Sequence, residues 1–218
     1  MKVTTDACIQ GAWTPVPSTA YRALDIGAGT GLLSLMLAQR APGITIEAIE
    51  LDDVAAVQAR DNVMQSAWAD RIAVLTGDVR EYRPPHKYDL LISNPPFFND
   101  SLLGKAANEN VAHHTLSLSH GELLGCMDAH VAGNGYISIL LPVNEYEHWL
   151  KLAGASQWYE SRRLTVRHTK NAAAKRIVGL FCKDEQTACI HEELIIMGED
   201  RRYTQAFIDL LSPFYLYM

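Results

Sequence analysis

The chain has 218 residues, 48% of them hydrophobic, with a formal charge of -6 and a pI near 5.7. That apolar content suffices for one sizeable core, and the acidic balance excludes a protein that coats nucleic acid non-specifically while leaving room for a local basic patch. The four cysteines, Cys8, Cys126, Cys182 and Cys189, are scattered without a C-x-x-C pair; with no signal peptide, membrane-length apolar run or lipidation motif, a cytoplasmic protein with reduced thiols and no metal site is expected.

In chain order, Thr4-Thr5-Asp6 caps a short helix through Trp13, which Pro15-Val16-Pro17 ends. Tyr21 to Ile26 reads as a strand, followed by the glycine-rich turn Gly27-Ala28-Gly29-Thr30-Gly31 and a helix from Leu32 to Arg40. Ile44 to Leu51 is the next strand, Val54 to Ala67 a helix, Ile72 to Thr76 a strand and Tyr88 to Ser93 another. Strand, glycine turn, helix, strand, helix, strand is the order of a right-handed doubly wound unit, whose ligands bind at the carboxyl ends of its parallel strands.

The polar, aperiodic segment Asn99 to Ser119 reads as a loop over the substrate side. A helix near Gly121 to Val131, a strand near Tyr136 to Leu141 and a helix near Glu145 to Ala153 follow. The strand pair Leu164 to Arg167 and Arg176 to Phe181, a strand near Ile190 to Met197 and a helix from Thr204 to Leu211 complete the chain. The expectation is one α/β domain over residues 1–218, with 1–19 as an N-terminal helix and linker and 20–218 as the core. Its sheet is expected to have seven strands, mostly parallel, with helices on both faces and an antiparallel hairpin at one edge.

Three successive strand ends carry a carboxylate. The G-x-G-x-G spacing of Gly27, Gly29 and Gly31 differs from the dinucleotide fingerprint, and the helix start beyond it offers free N–H groups to a carboxylate or a phosphate. Asp25 before the turn repels a pyrophosphate but attracts a ligand ammonium group, directly or through water. Taken alone, the turn is also compatible with a simple tight turn. Glu50 ends the second strand at the distance where an acid accepts both hydroxyls of a ribose, whereas Asp52 and Asp53 suit a helix N-cap. Asp78, followed by Val79, is placed to accept from an adenine amino group. A zwitterion, a ribose and an adenine together describe S-adenosylmethionine.

Asn94-Pro95-Pro96-Phe97 closes the fourth strand. Two prolines fix their own φ and donate nothing to a ladder, so the loop is stiff. The Asn94 side-chain oxygen and the Pro95 carbonyl then accept both hydrogens of one planar amino group, and Phe97 stacks on a flat ring. Farther on, Ser161 to Lys183 holds seven basic residues (Arg162, Arg163, Arg167, Lys170, Lys175, Arg176, Lys183) and no acid. This is either an electrostatic footprint for RNA phosphates or a solvated turn between two edge strands.

Asp25 to Gly31, Glu50, Asp78 and Asn94 to Phe97 resemble the motifs of Rossmann-like class I S-adenosylmethionine-dependent amino methyltransferases. Met1 to Asp6, Ala12-Trp13, Gly31 to Arg40, Asn94 to Phe98 and the ending Tyr203-Thr204 to Phe214-Tyr215 are similar to the tRNA1(Val) adenine-37 N6-methyltransferase family, over nearly the whole chain. The resemblance implies methylation of the exocyclic N6 of adenine 37 in the anticodon loop of tRNA1(Val); separately, a single core with no obvious exposed apolar helix leads to the expectation of a monomer with no obligate protein partner. The resemblance also implies Asn94, Pro95 and Phe97 as catalytic residues, and Asp25, Gly27, Gly29, Gly31, Glu50, Asp78, Val79 and Asn94 around the cofactor. Family members carry a further segment before the position of Lys2, so an upstream segment is expected to be missing. Asn108 to His114 stands where they are richer in arginine, so no RNA contact is carried over there. An rRNA guanine amino group, a protein glutamine amide, or a non-catalytic cofactor- and RNA-binding module are the alternatives.

Overall fold

The computed structural model describes residues 3–96, 118–186 and 188–217. Helix α1 (Thr5–Trp13) starts where Thr4 Oγ1 accepts from the Ala7 N–H, and its apolar side chains, Ile9 and Trp13 among them, are buried. The doubly wound half follows as β1 (Arg22–Ile26), α2 (Leu32–Arg40), β2 (Thr45–Glu50), α3 (Asp53–Met64), β3 (Ile72–Thr76) and β4 (Tyr88–Ser93). Asp52 caps α3 by accepting from the Ala55 N–H at 2.7 Å, the role its position suggests. Helix α4 (His120–His130) opens on a capping box between Ser119 and Glu122. Then come β5 (Val131–Pro142), α5 (Val143–Ala155), β6 (Tyr159–Arg167), β7 (Arg176–Cys182), β8 (Ile190–Ile195), α6 (Gln205–Leu211) and a 3₁₀ turn, Ser212–Phe214.

The sheet runs β3-β2-β1-β4-β5-β7-β6-β8, with β7 antiparallel to both neighbours and every other pair parallel. The Rossmann-like α/β expectation therefore holds, with two corrections. The sheet has eight strands, not seven, and the antiparallel β6–β7 pair is not at the edge. The reason lies in burial: β7 is apolar and buried along Ile177 to Cys182, which a strand flanked on both sides tolerates. In β8 only Leu194 is buried, and its exposed and half-exposed positions suit the edge that it forms beside β6.

Side chains of β4 alternate between two apolar layers, as a sheet covered on both faces requires. Leu90 and Ile92 pack with Ile9 and Trp13 of α1, Leu37 of α2 and Phe207 of α6. Leu91 packs on the other side with Met127 of α4 and Trp149 of α5. Burial of each such side chain stabilises by about 1.5–3 kcal/mol, so the two layers fix where the strand ends point. Among the described residues no helix is long and apolar enough to cross a membrane.

Candidate active site

Parallel register places Ile26, Glu50, Thr76 and Ser93 at the same edge of the sheet, since Ile26 pairs with Ile49 and Ser93, and Glu50 with Thr76. In an open α/β sheet this edge is where a ligand crevice forms. A cavity of about 300 Å³ lies there, and Gly27, Glu50, Asp78, Val79, Asn94 and Pro95 are among its lining residues. Two strand-end acids, the glycine turn and the Asn-Pro loop thus meet in one space.

Gly27, Gly29 and Gly31 have φ of 75°, 57° and 77°, the left-handed region that side-chain-bearing residues avoid. At Gly31, a Cβ would also stand 3.5 Å from the Ala59 Cβ, which shows how closely α3 packs on the turn. Only Gly27 of the three lines the cavity. Gly29 acts one step back: its N–H donates to Glu50 Oε2 at 2.7 Å, while the Asp52 N–H donates to Oε1 at 2.9 Å. Glu50 is therefore pinned between the turn and the start of α3, a second role that its position in the sequence does not reveal. Each of its oxygens keeps a lone pair for a vicinal hydroxyl.

Asp25 lies behind the turn and is fully buried, outside the cavity lining. Its Oδ2 accepts from Ser34 N at 3.2 Å and Ser34 Oγ at 2.7 Å, and its Oδ1 has no partner among the described residues. Burial raises its pKa from 3.8 to about 6 against the pull of the Ser34 bonds. A raised acid stabilises the fold below the unfolded pKa, and that contribution is lost as pH rises through the folded value. Relative to wild type, Asp25→Asn should therefore gain about 2–3 kcal/mol of stability between pH 4 and pH 8 in the ligand-free protein. Denaturant unfolding at the two pH values checks this, and parallel pH dependence of the two proteins would contradict it.

Asp78 lines the cavity with a partner the sequence pattern does not announce. Arg80 Nη2 and Nε lie 2.6 and 2.9 Å from Oδ2, and the Arg80 N–H donates to Oδ1 at 2.8 Å. The Arg80 guanidinium, opposed by partial burial, holds the Asp78 carboxyl below its ordinary range. An adenine amino group accepted by Asp78 would share that carboxylate with Arg80.

The Asn94 loop is anchored from below. Ser93 Oγ donates to the Ile26 carbonyl at 2.7 Å, and Gln10 Nε2 of α1 donates to the Ser93 carbonyl at 3.0 Å. Gln10 Nε2 also lies 3.4 Å from Ser138 Oγ, which is 2.8 Å from Thr14 Oγ1. A buried polar chain thus ties α1 and β5 to the residue before Asn94. Its local signal is faint: Gln10 is one amide in the otherwise apolar run Ala7 to Trp13. Pro95 is buried, Pro96 exposed and Asn94 half-buried. Phe97 and the expected loop from Asn99 to residue 117 lie outside the described residues, as does the Asn108 to His114 stretch.

The basic run on β6 and β7 is largely neutralised. Arg162 pairs with Glu192 at 2.7 Å, Arg163 with Glu160 at 2.6 Å, Arg167 with Glu193 at 2.5 Å and Arg176 with Asp6 at 3.0 Å. Lys183 pairs with Asp128 at 2.7 Å. Lys170 and Lys175 remain exposed and form no ion pair among the described residues.

A Rossmann-like sheet with this crevice, its glycine turn and its strand-end acids defines a methyltransferase of class I architecture. Residues 14–131 match the family model of the methyltransferase small domain. By sequence, the chain is 39% identical to the tRNA1(Val) (adenine(37)-N6)-methyltransferase of Pectobacterium carotovorum, over 100% of this chain and 88% of the relative. To the protein of the same name from Dyadobacter fermentans it is 41% identical, over 99% and 91% of the two chains. The chain belongs to the tRNA1(Val) (adenine(37)-N6)-methyltransferase family. Solved structures share the fold: a predicted O-methyltransferase from Agrobacterium tumefaciens superposes with a TM-score of 0.75 at 18% identity, over 95% of this chain and 96% of that one. A putative RNA methyltransferase from Pyrococcus horikoshii gives 0.54 at 20% identity, over 74% of each chain. The chain is a methylating enzyme whose family uses a methyl donor of the S-adenosylmethionine type.

Proposed function

We propose that this enzyme methylates the exocyclic N6 of adenine 37 in the anticodon loop of tRNA1(Val), with S-adenosylmethionine as methyl donor. The observation that carries the reading is Asn94-Pro95 at the wall of the same cavity as Glu50 and Asp78. The cavity residues suit the donor: Glu50 presents two acceptors for ribose hydroxyls and Asp78 an acceptor at the adenine end, while Asp25, buried behind the turn and outside the cavity lining, acts on the ligand ammonium group only through the turn or a water. S-adenosylmethionine supplies an electrophilic sulfonium methyl.

The residues of this chain do the positioning. An adenine N6 lone pair is delocalised into its ring and is a poor nucleophile while the amino group stays planar. The Asn94 side-chain oxygen and the Pro95 carbonyl accept its two hydrogens, draw the nitrogen toward a pyramidal geometry and aim the lone pair. No strong general base is needed, because the methylated nitrogen loses its proton readily. Phe97 holds the base after it leaves the stack, which costs a few kcal/mol in a duplex and less in a loop. Gln10 and Ser93 act through Asn94 by holding the backbone on which it rides.

Incubation with labelled S-adenosylmethionine and separated tRNA, rRNA and protein fractions, followed by nucleoside analysis, tests the reading. Label recovered as N6-methyladenosine in tRNA is expected. Label in rRNA guanine or in protein would overturn the substrate, and no label in any fraction would overturn the assigned activity.

A further inference from the structure

A cleft of about 550 Å³ lies beside α4 and is distinct from the cofactor cavity except that Val79 and Arg80 line both. We propose that this cleft, walled by Arg80, Arg83, His86, Lys87 and His130, binds the sugar–phosphate backbone of the RNA substrate as it leaves the active site. The inference rests on the functional reading above and moves the RNA path away from β6 and β7.

Charge and placement together decide between the two surfaces. On β6 and β7 the four arginines, and Lys183 beyond them, are each matched to a carboxylate at 2.5–3.0 Å, so that phosphates there would compete with established ion pairs; Lys170 and Lys175 of that run form no ion pair among the described residues, but neither lines the cleft or the cofactor cavity. In the cleft, Arg83 donates to the backbone carbonyls of Arg80 and Tyr82 at 2.7 Å, and Lys87 donates to the Ala129 carbonyl. Neither Arg83 nor Lys87 forms an ion pair among the described residues, and both are exposed. Glu122 is the one carboxylate in the lining, and it lies 3.6 Å from Arg80. His86 of the same wall lies 3.3 Å from Glu47, and Asp128 is within electrostatic reach of Lys87; even so, against a chain charge of -6, two exposed cations with no ion pair among the described residues favour an anion in this cleft.

The shape of α4 agrees. Glu122, Gly125, Cys126, Ala129 and His130 follow helical spacing along the wall of the cleft. Gly125 sits in the helix interior, where glycine is less favourable than alanine, yet a Cβ built there would meet nothing within 4 Å. Packing does not require this glycine, and its effect is a low floor that leaves room for a bulky polyanion. Arg80 contacts Asp78 and, with Val79, borders both spaces, so the cleft lies next to the adenine end of the cofactor cavity.

The test is tRNA affinity from about 50 to 200 mM KCl for wild type, the double variant Arg83→Ala/Lys87→Ala, Gly125→Glu, and the triple variant Arg162→Ala/Arg163→Ala/Arg167→Ala. The double variant should lose about tenfold in affinity and lower the slope of log affinity against log salt by about 1–2. Gly125→Glu, which improves helix propensity while placing a carboxylate in the cleft, should also weaken binding, and Gly125→Ala should not. The triple variant should keep the wild-type slope. Unchanged S-adenosylhomocysteine affinity in the double variant and in Gly125→Glu reports an intact fold. A wild-type slope in both would overturn the cleft while leaving tRNA methylation standing. If the wild-type protein methylates no tRNA, the functional reading fails, and this inference with it.

Discussion

Asn94→Ala is expected to lower methyl transfer to tRNA by about 100- to 1,000-fold, or about 3–4 kcal/mol of transition-state stabilisation, while S-adenosylmethionine affinity stays within about threefold. The separation follows from what each wall of the cavity offers. In the proposed reading Asn94 accepts from the nitrogen that must lose planarity, whereas the donor's ribose and adenine are assigned to Glu50 and Asp78, which line the same cavity from other strand ends. An interaction that strengthens only as the nitrogen pyramidalises appears in kcat and leaves ground-state binding nearly untouched. Single-turnover transfer together with calorimetric cofactor binding checks this. Equal loss of transfer and cofactor affinity would remove Asn94 from the role of amino acceptor. Because Gln10 and Ser93 fix the backbone before it, the substitution should not disturb the fold.

Glu50→Ala is expected to act in the opposite order, weakening S-adenosylmethionine by more than about 100-fold. Two bonds from ribose hydroxyls to a carboxylate are worth about 1.5–3 kcal/mol each. The loss has a second source in this chain, since Glu50 also accepts from the Gly29 and Asp52 N–H groups, and without it the glycine turn loses its tether. Glu50→Gln, which keeps an acceptor for the Gly29 N–H, should recover part of the affinity. Titration calorimetry of the three proteins distinguishes the outcomes, and unchanged affinity in Glu50→Ala would contradict the ribose assignment.

What could be read from the sequence is what depends on neighbours along the chain. The G-x-G-x-G turn, the acids at successive strand ends and the Asn-Pro-Pro loop are local patterns, and parallel register then brings Gly27, Glu50, Asp78 and Asn94 to one cavity without further information. Features that depend on distant partners were not legible. The run from Ser161 to Lys183 holds no acid, yet Glu192 and Glu193 arrive from β8 to pair with Arg162 and Arg167, and Asp6 arrives from α1 to pair with Arg176. The same β8 turns an expected edge hairpin into an interior one. Gln10 carries no local signal, because a single amide in an apolar helix has no spacing to mark it, and its target, the Ser93 carbonyl, is 83 residues away. Arg80 stands two residues after Asp78, but the contact depends on the turn after β3 and not on spacing alone.

Two transcripts of tRNA1(Val), one with adenine at position 37 and one with guanine there, test the central claim most directly when each is incubated with the enzyme and labelled S-adenosylmethionine. The account predicts N6-methyladenosine in the first, mapped to position 37, and no label in the second. Equal label in both, or label on a nucleoside other than adenosine, would contradict it.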